Sequence, residues 1–223
     1  MSLKGNAARV AATLVILFSL PIAYLSVMWG MADMYAYPVR YAIERWEQKG
    51  VSDNSEIAEA AESIDRALSW QPQNPELIEL KARVQLYEAS LIEDDQAFKE
   101  KLRSILSLHE QAIGLRSEWA YSWANKALIK AYLQDFDAEY LQAMQQAVLL
   151  GPWELSANLA VLEAGLIGWF SLSSDDRIVV TETASRTAEH QWKMVKNLLD
   201  RYQRRYAVCS GMQRTEVQNK VCY

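Results

Sequence analysis

The residues that could carry out acid–base or metal chemistry are few in this chain, and their spacing does not favour a catalytic site. The two histidines, His109 and His190, lie far apart, and neither has cysteines or carboxylates beside it at metal-ligand spacing. The acid pairs at 94–95 and 175–176 stand where helices are expected to begin, so we interpret them as capping residues. The sequence contains neither a glycine-rich phosphate loop nor a G-x-S-x-G nucleophile motif. We therefore expect a protein that is not an enzyme and needs no metal ion or cofactor.

Aromatic and charged side chains between residues 116 and 154 are better candidates for a binding function. Trp119 and Trp123 are four residues apart, which places them on one face of a helix. Core packing is the favoured interpretation of this pair, and stacking on a sugar ring or anchoring a partner helix are the alternatives. The candidate partner- or glycan-binding residues are Arg116, Trp119, Tyr121, Trp123, Lys130, Glu139, Trp153 and Glu154.

A second candidate surface is basic and lies near the C-terminus. Residues 184–223 hold eight basic and three acidic residues, a net charge of +5, whereas residues 33–183 carry a net charge near −12. An acidic body argues against nucleic-acid binding, which needs a cationic surface. The basic segment is expected to dock on an acidic partner, on anionic lipid, or on the body of the chain itself. Its candidate residues are Lys193, Lys196, Arg201, Arg204 and Arg205.

The residues of the segment 116–154 must be positioned by two amphipathic helices, about 117–134 and 136–150, which end at Gly151-Pro152. This pattern, with small residues where the helices would cross, is typical of tetratricopeptide-like units, which bury their apolar faces by stacking. The small residues are Ala124, Ala127, Ala131, Ala143 and Ala147. The chain is therefore predicted to be all-α.

Further helices are predicted on both sides of this pair. Spacing of apolar residues, capping residues and prolines indicate helices over about 55–70, 76–90, 95–115, 153–170 and 174–206, and a helix that restarts near Pro38. The segment 178–181 has strand propensity, which makes the start of the last helix the least regular part of this prediction.

A weak internal repeat accompanies the helices. Ala67 and Ala147 each precede a proline by five residues, and Ala112 precedes Ser117 by the same interval. The segments 123–127 and 156–160 align at an offset of 33 residues, close to the roughly 34 of tetratricopeptide units. The 45-residue step from Ala67 to Ala112 breaks the period. We predict three degenerate units and a capping helix, with a plain helical bundle as the alternative.

An apolar segment, Val10 to Trp29, precedes these helices and contains no charged residue. Its 20 residues would span roughly 30 Å as a helix, the thickness of a bilayer core. We favour an uncleaved anchor over a signal peptide, whose apolar core is usually about 7–15 residues long. Lys4 and Arg9 precede the segment, which predicts a cytoplasmic N-terminus. The expected division is a short tail and transmembrane anchor over 1–32 and an extracytoplasmic domain over 33–223.

The two cysteines, Cys209 and Cys222, lie close together near the end of the chain. In an oxidising compartment such a pair is expected to form a disulfide, whereas in the cytosol the two would remain thiols. The predicted export of the domain favours the disulfide.

The segment 116–154 resembles the VpsP-type proteins of bacterial exopolysaccharide gene clusters. The resemblance rests on R116-x-x-W-x-Y-x-W-A-x-x-A-x-x-K130, on F136-D-x-E139, and on L150-G-P-W-E154. The N-terminal span and the basic C-terminal helix fit the same layout. The resemblance implies an accessory role in polysaccharide synthesis or export at a bacterial inner membrane, and it brings no catalytic residues with it.

Together these observations predict a membrane-anchored, non-catalytic scaffold whose helical repeats bind other components of a polysaccharide-producing complex. The alternative is a module of the same machinery that binds the polysaccharide or regulates its chain length.

Overall fold

The computed structural model describes the backbone of residues 2–223 and the side chains of residues 12–223. The described chain is 82% helical and contains no strand, as expected for an all-α protein. Its α-helices are α1 (Ser2–Lys49), α2 (Asn54–Trp70), α3 (Pro75–Ala89), α4 (Asp95–Leu115), α5 (Ala120–Leu133), α6 (Ala138–Leu150), α7 (Leu155–Ile167), α8 (Ser174–Arg201), α9 (Arg205–Cys209) and α10 (Glu216–Cys222). The chain divides into two compact units, Met1–Val84 and Gln85–Tyr223, which are described separately.

Helix α1 is the one described helix that is long and apolar enough to cross a membrane, a property that signal sequences share. Its apolar side chains are exposed, as in Phe18 at 70% and Ile22 at 64%. The helix runs without interruption through Pro21 and Pro38, so the predicted restart near Pro38 is wrong. Proline removes one backbone hydrogen bond. Val39 and Ile43 follow Pro38 and are buried, and their burial stabilises the part of the helix after the proline.

The C-terminal half of α1 pairs with α2. The buried residues of α1 recur at spacings of four and three, and those of α2 recur in the same way, which is the pattern of two helices that pack along their length. They are Ala32, Ala36, Val39, Ile43 and Trp46 of α1, and Ile57, Ala60, Ile64 and Ala67 of α2.

Polar contacts join the end of α1 to the start of α2. Asp53 caps α2 by accepting a hydrogen bond from the backbone N–H of Ser55, 2.9 Å away. Glu56 accepts from Arg45 at 2.6 Å and from the indole N–H of Trp46 at 2.8 Å, so the start of α2 is fixed to the end of α1.

In the second unit, α4 to α8 pack in chain order. Helix α5 contacts α4, α6 and α7, helix α7 contacts α6 and α8, and the short helices α9 and α10 pack on α8. Small residues lie where neighbouring segments of this unit approach each other most closely. A Cβ on Gly151 would lie 2.5 Å from that of Ala120, and a Cβ on Gly165 would lie 2.4 Å from Cγ2 of Val180.

The segment with strand propensity, 178–181, is helical and lies in the second turn of α8. Ser173 caps this helix by accepting from the N–H of Asp176, and the acids of the first turn favour a helix start. Val180, Ala184 and Ala188 are fully buried at a spacing of four, so core packing outweighs the local strand propensity.

Two ends of predicted helices are also corrected. The last helix does not run to Tyr206, because α8 ends at Arg201 and its backbone is non-helical at Gln191. Gln203 then adopts a left-handed conformation, with φ of 55°, which turns the chain into α9. The helix predicted over 153–170 is shorter, Leu155–Ile167, and is followed by a 3-10 turn over Trp169–Ser171.

Candidate binding sites

A backbone turn of the same geometry recurs at residues 71–74, 116–119 and 151–154. In each turn the first residue donates its N–H to the carbonyl of an alanine four residues earlier, at 2.9–3.2 Å. The fourth residue donates its N–H back to the carbonyl of the first, at 3.1–3.3 Å. The first residues also share their backbone angles, with φ between −136° and −146° and ψ between 60° and 77°. The alanines are Ala67, Ala112 and Ala147.

Trp119, Tyr121 and Arg116 form one aromatic group at the second turn. The ring centroids of Trp119 and Tyr121 are 5.5 Å apart, and the guanidinium of Arg116 lies 5.0 Å from the centroid of the Trp119 ring. Trp119 and Tyr121 are half-buried, so each retains an accessible part.

Trp123 does not join this group, although it lies on the same helix. It packs against the core of the second unit, and its indole N–H donates to the carbonyl of Ser117 at 2.7 Å. In the next turn the side-chain amide of Asn158 donates to the carbonyl of Pro152 at 2.8 Å. Trp123 and Asn158 therefore hold equivalent turns at an offset of 35 residues, and the 33-residue alignment predicted for these helices is wrong.

Lys130 and Glu139 lie together in a charged network between α4, α5 and α6. Lys130 is 5% exposed, and its Nζ lies 2.8 Å from Asp137 and 3.7 Å from Glu139. Lys126 lies 3.0 Å from Glu110 and 3.3 Å from Glu139. A buried, paired lysine of this kind joins helices, which assigns Lys130 a structural role.

The electrostatics of this network favour the charged forms. Burial opposes the charge of Lys126, but the carboxylates of Glu110 and Glu139 outweigh it and raise the pKa of Lys126. Burial opposes the charge of Asp137 too, but hydrogen bonds from Lys130 and from the backbone of Tyr140 outweigh it and lower the pKa of Asp137.

Trp153 and Glu154, in the third turn, are both exposed. Trp153 is 70% exposed, and Glu154 occupies the N-cap position of α7 without a capping hydrogen bond from its side chain. Of the aromatic residues predicted to bind a partner, Trp153 is the most accessible.

The predicted basic surface is partly neutralised by contacts within the chain. Arg205 forms an ion pair with Asp200, Arg201 lies 3.6 Å from Glu163, and Arg204 stacks 4.4 Å from the centroid of the Phe170 ring. Lys193 and Lys196 follow the interruption of α8 at Gln191, and Lys193 lies 5.6 Å from the Trp192 ring centroid. These contacts fit the interpretation in which the basic segment docks on its own domain.

A cluster around Glu163 went unpredicted. Glu163 accepts hydrogen bonds from the hydroxyls of Tyr202 at 2.6 Å and Tyr132 at 3.3 Å, which joins α5, α7 and the end of α8. Burial, followed by the charge of Glu163, raises the pKa of Tyr132 well above its ordinary value. Glu163 lies 31 residues after Tyr132 and 39 residues before Tyr202, and no local spacing in the sequence signals these contacts.

The C-terminal segment is folded back on α8. Cys209, at the end of α9, and Cys222, at the end of α10, are joined by a disulfide with a Cα–Cα distance of 5.9 Å. Val208, Met212 and Val221 bring this segment into the core of the second unit.

A pocket of ≈ 740 Å³ lies between α8 and this C-terminal segment. Its walls combine apolar side chains with hydroxyl, amide and charged groups, among them Trp169, Arg177, Thr181, Glu182, Arg186, Glu189, Met212 and Gln218. None of the residues predicted to bind a partner or glycan lines it.

Within residues 12–223, no group of three or more His, Cys, Asp and Glu side chains is arranged to hold a metal ion. Comparison of the chain with protein-family models and with curated proteins found no match.

Proposed function

We propose that this chain is a membrane-anchored, non-catalytic accessory or scaffold protein of bacterial exopolysaccharide synthesis or export. Its helix pairs, arranged as degenerate tetratricopeptide-like units, bind other proteins of that machinery. The observation that carries the proposal is the turn that recurs at 71–74, 116–119 and 151–154, because the same geometry joins α2 to α3, α4 to α5 and α6 to α7. Protein binding is a common use of stacked helix pairs, since they expose long continuous surfaces. The resemblance of the segment 116–154 to VpsP-type proteins supports the polysaccharide setting.

The buried residues of α1 support an anchor that is not cleaved. Ala32 and Ala36 are 2% and 0% exposed and belong to the stripe that packs on α2. Cleavage at the small residues 30–32 would cut the chain beside or within this stripe. With Lys4 and Arg9 in the cytoplasm, the helical domain would then lie in the periplasm.

Trp153 is the side chain best placed to contact a partner. A large aromatic residue that is 70% exposed at a rigid turn has the chemistry of a binding hot spot. The aromatic group of Arg116, Trp119 and Tyr121 occupies the preceding turn, so two of the three equivalent turns present aromatic surface.

The test is cross-linking and co-purification of the full-length chain from native membranes. We expect a polymerase, transporter or glycosyltransferase to be recovered, and Trp153→Ala to reduce its recovery. The matched control is Tyr206→Ala, which removes a 91% exposed aromatic residue elsewhere in the same unit. Recovery of no such protein, together with normal polymer output from a Trp119→Ala, Trp123→Ala, Trp153→Ala chain, would show the proposal to be wrong.

A further inference from the structure

The pocket between α8 and the C-terminal segment has the size of a small-molecule site. Its volume, ≈ 740 Å³, falls inside the range of about 300–1,000 Å³ typical of ligand sites. One wall is α8 from Ser174 to Glu189, and the other is the chain from Ala207 to Gln218. The disulfide between Cys209 and Cys222 closes the loop that carries most of the second wall.

Two largely buried residues of this pocket carry polar side chains that can contact a ligand. Thr181 and Gln218 are each 7% exposed and line opposite walls. Their backbone groups are engaged, because the Thr181 carbonyl accepts from Ser185 and the Gln218 N–H donates to Thr215. Within residues 12–223, the hydroxyl of Thr181 and the amide of Gln218 make no side-chain hydrogen bond. Because both residues line the pocket, their polar groups are available to a ligand.

The charges around the pocket are balanced. Its lining includes two arginines, Arg177 and Arg186, and two exposed carboxylates, Glu182 and Glu189. The Nε–H of Arg177 donates to the carbonyl of Trp169 at 3.0 Å, and that of Arg186 donates to the carbonyl of Pro152 at 3.2 Å. The two basic and two acidic side chains give the lining no net charge, which favours an uncharged ligand.

We infer that this pocket binds a neutral polyhydroxylated ligand, a sugar unit of a glycan. Sugar rings present hydroxyls to groups such as Thr181, Gln218 and the carboxylates of Glu182 and Glu189. Their C–H faces match the apolar part of the walls, which includes Ile178, Met212 and Val217. The inference deepens the proposed function, on which the choice of a glycan as the source of the sugar rests. The site is separate from Trp119, Trp123 and Trp153.

The experiment measures sugar binding to the full-length chain held in an amphipol, which carries no sugar head group. The probes are neutral trisaccharides of glucose, galactose and N-acetylglucosamine, and binding is followed by calorimetry and by saturation-transfer NMR. A trigalacturonate serves as the anionic comparison. We expect at least one neutral trisaccharide to bind and the anionic one to bind at least tenfold more weakly.

Variants locate the site. Thr181→Val and Gln218→Met each remove one hydrogen-bonding group and preserve volume, so each is expected to weaken binding about three- to tenfold. Thr187→Val is the matched control, because Thr187 lies on α8, is buried, and does not line the pocket. The exposed pair Glu182→Gln, Glu189→Gln provides a second test that does not disturb the core, and it too should weaken binding.

The inference is overturned if no neutral trisaccharide binds, if the anionic sugar binds as tightly, or if the pocket variants bind as the unmodified chain does. Co-purification of polysaccharide-synthesis proteins with the Thr181→Val chain separates the two proposals. If the partners are recovered and sugar does not bind, the pocket inference alone fails. Failure of the scaffold proposal would leave the unmodified chain without partners whatever the sugar result.

Discussion

The substitution Gly168→Ala tests the packing that joins α6 to α7. A Cβ at this position would lie 2.6 Å from the hydroxyl of Tyr140 and 3.0 Å from two ring carbons of Phe136. The ring of Tyr140 is fully buried, and its hydroxyl donates to the carbonyl of Ala164 at 2.8 Å, so it has no free space into which to move. The backbone itself accepts any residue here, because φ of Gly168 is −80°. The expected cost is therefore one of packing.

Its magnitude follows from two opposing terms. Replacing glycine by alanine at an ordinary φ stabilises a protein by about 0.4–1 kcal/mol, through the unfolded chain. Forcing an extra methyl group into a packed core costs about 1–3 kcal/mol. We expect a net loss of about 1–2 kcal/mol, a fall in Tm of roughly 2–8 °C for a chain of this size.

The substitution Tyr140→Phe tests whether contact with the Tyr140 hydroxyl causes the loss of stability in Gly168→Ala. This change alone should cost about 1 kcal/mol or less, because the Ala164 carbonyl still accepts the N–H of Gly168 at 3.0 Å. It also removes the hydroxyl oxygen, the atom that the methyl group introduced by Gly168→Ala approaches most closely. The double variant should therefore be about 1 kcal/mol more stable than the sum of the single effects predicts.

The assay is thermal unfolding of the full-length chain in detergent, followed by near-ultraviolet circular dichroism. Gly114→Ala is the control, because a Cβ on this helical glycine meets nothing within 4 Å and should raise stability by roughly 0.5–1 kcal/mol. If Gly168→Ala behaves as Gly114→Ala does, or if its effect adds to that of Tyr140→Phe without coupling, the described packing of α6 on α7 is refuted.

Three further predictions concern the second unit. Cys209→Ser should destabilise it by about 3 kcal/mol, since the disulfide restricts the unfolded chain by closing a loop between residues 13 apart in sequence, and reductant should lower the Tm of the unmodified chain but not of the variant. Asp137→Asn should destabilise more than Lys130→Met in chemical unfolding, because it leaves the buried ammonium with only the more distant carboxylate of Glu139, whereas Asp137 is half exposed and can be hydrated when Lys130 is removed. The lowered pKa of Asp137 means that its contribution is present above the ordinary value of 3.8 and lost as pH falls through the folded value. The acid limb of a stability–pH profile should therefore be shallower for Asp137→Asn, and an unchanged profile would contradict the pairing with Lys130.

Local signals in the sequence predicted most of the helices and their starts. Asp94 caps α4 as the acid pair at 94–95 predicted, and Asp53 and Ser173 cap α2 and α8 next to their predicted starts, because a capping side chain acts on an N–H two or three residues away. The continuity of α1 through Pro38 could not be predicted in this way, since it depends on burial against α2. Packing likewise determines the helical state of 178–181.

The candidate sites likewise divide into those formed by residues close in sequence, which could be predicted, and those formed by distant segments, which could not. The aromatic group at Arg116 and Trp119 and the pair of Lys130 with Glu139 are formed by residues near one another in sequence, and both were on the predicted surface. The Glu163 cluster and the pocket on α8 join residues from distant segments. Packing of α5 on α7 brings Tyr132 to Glu163, and the path of the chain after Arg201, with its turn at Gln203, brings in Tyr202 and one wall of the pocket.

The recurring turn explains why equivalent structure leaves little trace in the sequence. Its hydrogen bonds are made by backbone groups, so its first residue can be Gln71, Arg116 or Gly151 without changing the geometry. The side chain that ties the following helix to the turn also differs, an indole in Trp123 and an amide in Asn158, because either one can donate to the carbonyl. The alanine four residues before the turn persists in all three, since the position is fully buried against a neighbouring helix. The geometry of the turn therefore depends on small buried residues, and the exposed faces of the helices are free to differ from one another. A surface that is specific for particular partners needs this freedom. The partners proposed for this chain are therefore expected to contact exposed residues such as Trp153 and not the backbone of the turn.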